Sequence, residues 1–139
     1  MKQQAMRMVV LLSATVLITS DAAAQIPETP AGRQFSAWLA AFNSGDRARI
    51  RQYLETNHPT ANVDAQVNFR EVTGGFEFRK LEEATPTTLI GLVQERNSDQ
   101  FARFNFAVEA TEPHKVTRLA LNVWPVFSTT YRLGFSGFG

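Results

Sequence analysis

Apolar residues fall at helical spacing in the first half of this chain and at alternating spacing in the second. Phe35, Trp38, Leu39 and Phe42 stand at i, i+3, i+4 and i+7, a wide apolar stripe along one face of a helix. Thr29 precedes the stripe with a side chain able to cap the first turn. Pro30 takes the first helical position, where its missing N–H is not needed. The helix stops at Asn43-Ser44-Gly45, with Gly45 suited to a left-handed cap. Asp46 can cap a second helix, which carries Ile50, Tyr53 and Leu54 on one face and Arg47, Arg49 and Arg51 mostly on the others. His58-Pro59 breaks it. So few residues join the two helices that they must form a tight αα-hairpin. A weaker helical pattern runs from about Ala61 to Val72, with Ala65, Phe69 and Val72 at i, i+4 and i+7. Gly74-Gly75 ends it.

From Phe76 the period is two. Phe76 and Phe78 alternate with Glu77 and Arg79, and Leu81 then falls on the opposite parity. That shift predicts either a bulge or a strand buried on both faces. Thr85-Pro86 reads as a turn, Thr88 to Glu95 as a compact apolar strand, and Arg96-Asn97-Ser98-Asp99 as a hairpin loop. Ala102, Phe104, Phe106 and Val108 alternate with Arg103, Asn105, Ala107 and Glu109. After the Glu112-Pro113-His114 turn, Thr117, Leu119, Leu121 and Val123 alternate with Arg118, Ala120 and Asn122. Helices first and strands afterwards make an α+β domain. The expected form is a helical hairpin with a weak third helix on a curved antiparallel sheet of four or five strands. Its core would hold Trp38, Phe42, Phe104, Phe106 and Leu121. Beyond Pro125, Thr129, Tyr131, Leu133 and Phe135 alternate as a fifth strand would. The run Gly134-Phe135-Ser136-Gly137-Phe138-Gly139 reads equally as an unstructured end or a truncated linker.

The first 24 residues have a different pattern. Lys2 and Arg7 precede the apolar run Met8 to Ile18, and Ala22-Ala23-Ala24 follows. That order is the order of a secretory signal peptide, with cleavage before Gln25. The run has 11 residues, and a membrane-spanning helix needs about 20. Export to the periplasm or the extracellular space is therefore expected, without stable membrane insertion. The domain itself is expected over residues 25–125, with a tail over 126–139.

The leader takes Lys2, Arg7 and Asp21 from totals of 14 basic and 13 acidic residues, so the remainder carries no net charge. Nucleic-acid binding, which needs an excess of Lys and Arg against phosphates, is not expected. The chain has no cysteine, so stability rests on the core alone and thiol chemistry is excluded.

Phe42-Asn43-Ser44-Gly45-Asp46, followed by a short second helix and a sheet, resembles the NTF2-like (SnoaL-type, cone) superfamily. A longer series occurs in order: His58-Pro59, Thr73-Gly74-Gly75-Phe76, Glu82-Glu83-Ala84-Thr85-Pro86, Leu92-Val93-Gln94-Glu95-Arg96 and Glu112-Pro113-His114-Lys115-Val116-Thr117. It resembles the non-catalytic N-terminal domain that precedes some bacterial serine hydrolases, among them the β-lactamase-related group and the tail-specific peptidases. The resemblance spans residues 30–125 and brings no catalytic residue with it. It implies an exported accessory or interaction domain whose partner is a serine hydrolase or peptidase domain, or a second copy through the sheet face. In that family a proline-containing linker leads into the hydrolase. Trp124-Pro125 fits its start, and the sequence ends 14 residues later.

Residue chemistry points the same way. No Ser-x-x-Lys occurs, and Ser136 in Gly134-Phe135-Ser136-Gly137 lacks the spacing and the following helix of a nucleophile elbow. His58 and His114 each sit beside a proline, far apart in sequence, and no cluster supplies the three or four ligands of a metal site. Arg47, Arg49 and Arg51 read as a solvated helix face. Tyr53, Asp64 and Glu77 are of the right type for the acid–base pair of a small-pocket enzyme, but no spacing brings them together. No catalytic residue, metal or cofactor is expected. Trp38, Phe42, Tyr53, Phe104 and Phe106 would line the interior, as packed core or as pocket wall. A pocket lined by Tyr53 and an ionised acid would favour the alternative function, a free-standing ligand-binding protein or enzyme. An interior filled by Phe and Leu would favour the accessory domain.

Overall fold

A computed structural model of the chain describes residues 25–124. The expected leader over 1–24, the tail over 126–139 with its fifth strand, and Ser136 lie outside these residues. Three helices, α1 (Pro30–Ser44), α2 (Arg47–Asn57) and α3 (Val63–Thr73), precede four strands, β1 (Phe76–Ala84), β2 (Thr88–Glu95), β3 (Phe101–Val108) and β4 (Val116–Val123). The strands form one open antiparallel sheet in the order β1-β2-β3-β4. The domain is α+β. Among the described residues no helix is long and apolar enough to cross a membrane.

The helix ends follow from single side chains. The Thr29 hydroxyl accepts from the Gly32 N–H at 3.0 Å, and Gly45 closes α1 at φ 66° with its N–H on Phe42 O. Asp46 then caps α2 by accepting from the Ala48 N–H at 2.9 Å. The third helix starts two residues later than the apolar spacing suggested, because the Asn62 side chain accepts from the Ala65 N–H and fixes the first turn there. Gly74 ends it at φ 73°.

In β1 the register shifts between Phe78 and Lys80 and again between Leu81 and Glu83. The first shift is a bulge, one of the two outcomes that the parity of Leu81 left open. It returns Leu81 to the face of Phe78, opposite Gly91. The helix-facing side of the sheet is thus apolar in all four strands, through Phe78 and Leu81, Leu89 and Val93, Phe104 and Phe106, and Leu119 and Leu121. α1 lies across this side, with its strongest sheet contacts on β3 and β2. Phe35 is fully buried at the crossing. Its ring stacks on Phe104 with centroids 4.4 Å apart and meets Phe106 edge-on at 5.4 Å. Trp38, Phe42 and Phe76 continue the series of rings toward α3, at 5.1 and 5.4 Å between successive centroids.

Candidate functional site

The five residues expected to line the interior are all buried: Trp38, Phe42, Tyr53, Phe104 and Phe106. Each stands in ring-to-ring or hydrogen-bonded contact with a neighbour, and two surface clefts are lined by other side chains. Gly91 shows how tightly this space is filled. A Cβ there would stand 2.2 Å from Lys80 O and 2.8 Å from Phe104 Cζ, so a glycine is what lets the Phe104 ring lie on β2.

Tyr53 has the polar tip that a cone-shaped active site would use, but its hydroxyl is already committed. It lies 3.0 Å from both Gln34 O and Gln34 Oε1 and donates its one proton there. Burial pushes its phenol far above the usual tyrosine range, so it stays a neutral donor. The Gln34 Nε2 in turn donates to Asn57 Oδ1 at 3.1 Å and to His114 O at 3.0 Å. Gln34 therefore ties α1 to α2 and to the β3–β4 turn. Its place beside Phe35 is the only hint of that role in the sequence.

The acids paired with Tyr53 by type are engaged elsewhere. Asp64 on α3 forms an ion pair with Arg47 of α2, and both are well exposed. Glu77 on β1 pairs with Arg96 at 2.7 Å. Arg49 and Arg51 are exposed. His58 caps the C-terminus of α2, and its Nδ1 is buried without a hydrogen-bond partner among the described residues. Burial lowers its pKa below 6.5. His114 lies in the β3–β4 turn at φ 55°, its Nδ1 2.9 Å from Glu109 O. No group of three or more His, Cys, Asp or Glu converges among the described residues.

The larger cleft, about 570 Å³, is wide open to solvent and runs between the N-terminal lead and the edge of β1. Ile26, Leu39 and Phe78 give it an apolar floor, and Glu28 and Glu77 stand beside them. Asn43, read from the sequence as a helix-stop residue, closes one end. Its Oδ1 accepts from the Phe76 N–H at 2.8 Å and its Nδ2 donates to Phe76 O at 2.9 Å. The smaller cleft, about 210 Å³, lies where the first turn of α1 meets the β3–β4 turn, between Arg33, Gln34 and His114. In the larger cleft Glu77 is paired with Arg96, and the residues lining the smaller one include no carboxylate.

The solvent side of the sheet is mixed. Ile90, Asn105 and Ala120 lie in one cross-strand row and Leu92, Arg103 and Asn122 in the next. Asn105 Oδ1 is buried in its row and accepts no hydrogen bond from the described residues. Arg103 pairs with Glu82 at 3.2 Å and stands 5.9 Å over the Trp124 ring. Comparison with protein-family models, with curated proteins and with solved structures finds nothing that matches the chain.

Proposed function

We propose that this chain is an exported, NTF2-like accessory domain that works by contact rather than by catalysis, in association with a serine hydrolase or peptidase. The observation that carries the reading is the filled interior. Phe35 stacked on Phe104 at 4.4 Å, with Phe106 against its edge, fills the space between α1 and the sheet. The Tyr53 hydroxyl is held by Gln34, and Asp64 and Glu77 are paired elsewhere. The contact surface is the solvent side of the sheet. There Ile90, Leu92 and Ala120 supply half-buried apolar area between polar and charged neighbours.

Three measurements test the reading. A fluorophosphonate probe for serine hydrolases should leave the chain unlabelled, and a panel of sterols and small aromatic ligands should leave its thermal midpoint unmoved. Saturable stabilisation by one of those ligands would instead favour the free-standing ligand-binding protein. Reading the locus beyond codon 139 in all frames tests the association. A hydrolase or peptidase core behind this domain supports it, and a secure stop with none behind it removes its basis.

A further inference from the structure

The two edges of the sheet are built differently. The edge of β1 is closed to pairing at its start, where the Asn43 amide takes both the N–H and the C=O of Phe76. Two bulges then interrupt it, and Glu77, Arg79, Lys80, Glu82 and Glu83 load it with charge. These are the devices by which proteins keep an edge from pairing with another chain. The edge of β4 has few of them. Its register on β3 is unbroken from Arg118 to Val123, and Arg118 is its only charged residue.

The hydrogen-bond alternation says which groups face outward. The Trp124 N–H bonds to Phe101 O at 2.8 Å, so Asn122, Ala120 and Arg118 pair with β3. The N–H and C=O groups of Leu119, Leu121 and Val123 then point away from it. Among the described residues nothing bonds to them. Their side chains form the apolar margin of the helix-facing side. Leu119 and Leu121 are half-buried, Val123 is 70% exposed, and Trp124 just beyond is 40% exposed.

We infer that β4 pairs antiparallel with β4 of a second copy of this chain, on a two-fold axis at Leu121. A two-fold axis makes every contact reciprocal. Centred on Leu121, it sets Leu121 against its own copy and Leu119 against Val123 of the other chain. All three outward-facing residues then exchange hydrogen bonds, and every apolar side chain on the helix-facing margin of the edge meets another. On the solvent side, Ala120 lies opposite Asn122, and Arg118 lies opposite the exposed Trp124 ring, a favourable cation–π partner. No two like charges meet. The outcome is one continuous eight-stranded sheet, and it does not depend on the accessory reading above, since a ligand-binding protein would pair equally well.

The absence of cysteine makes the register testable in the full chain. Ala120 and Asn122 of opposite copies would form a non-hydrogen-bonded pair with Cα atoms about 4.5 Å apart, within disulfide reach. The double variant Ala120→Cys/Asn122→Cys should therefore cross-link into dimers on mild oxidation. Ala120→Cys alone should not, because its own copy lies diagonally beyond reach. The unmodified chain should run as a dimer in light scattering. Val123→Lys, a change at an exposed position that leaves the fold intact, should weaken the dimer on the order of tenfold or more. A monomeric chain whose double variant stays uncrosslinked overturns the inference and leaves the edge to residues 126–139 or to another protein. Cross-linking of Ala120→Cys alone overturns the register.

Discussion

Asn43 does at the end of α1 what a neighbouring strand does in a sheet. Its primary amide has the donor and acceptor of a peptide group, and it meets both backbone groups of Phe76 at 2.8 and 2.9 Å. Its own carbonyl accepts from the Arg70 guanidinium at 3.2 Å. Asn43→Ala would strand the Phe76 groups in a part-buried place and cost about 1–3 kcal/mol in urea unfolding. His58 gives a pH dependence at the same scale. Burial holds its folded pKa below 6.5, so between that lower value and 6.5 the unfolded chain binds more protons than the folded one. The stability contributed is complete above pH 6.5 and is lost as pH falls through the folded pKa. Urea midpoints measured from pH 7 downward should show this loss, and His58→Gln should flatten that part of the profile.

At the scale of elements, the meeting of β1, β2 and β3 depends on one missing side chain. Gly91 leaves room for the Phe104 ring and for Lys80 O, which a Cβ would approach to 2.8 and 2.2 Å. Gly91→Ala should destabilise the fold by about 1–3 kcal/mol or more, since both neighbours are hemmed in. Its thermal midpoint should drop while the helices keep their signal below the transition. Helix ends were legible because Thr29, Gly45, Asp46 and Gly74 act on their own turns. The bulge in β1 was legible as a parity slip at Leu81, which left a strand buried on both faces as the other outcome. The second bulge, by Glu82, was not, because that stretch is charged and mostly exposed and so has no apolar parity to break.

Over the whole molecule, aromatic rings fill the space between α1 and the sheet. Phe104→Ala would remove a fully buried ring from the centre of the stack and cost about 3–5 kcal/mol. In a variant that stays folded, the space left is lined by Phe35, Phe78 and Phe106. Such an apolar cavity stays dry and takes up small hydrophobic guests. Benzene or xenon should therefore stabilise Phe104→Ala measurably and leave the unmodified protein unmoved, as calorimetry or thermal shift would show.

By itself the sequence determined the α+β class, the order of three helices and four strands, the caps, and four of the five residues expected in the core, Leu121 being only half-buried. Each of these depends on residues near one another in the chain, through periodicity or through a side chain bonding its own turn. Only the tertiary structure decided whether Trp38, Phe42, Tyr53, Phe104 and Phe106 enclose a pocket or close on one another. It alone showed that Gln34 holds Tyr53 and the β3–β4 turn, that Asn43 seals one edge of the sheet, and that Asp64 and Glu77 are paired away from Tyr53. Those outcomes join residues distant in sequence, and hydrophobic spacing is the same for a ring that packs against another ring and for one that lines a cavity.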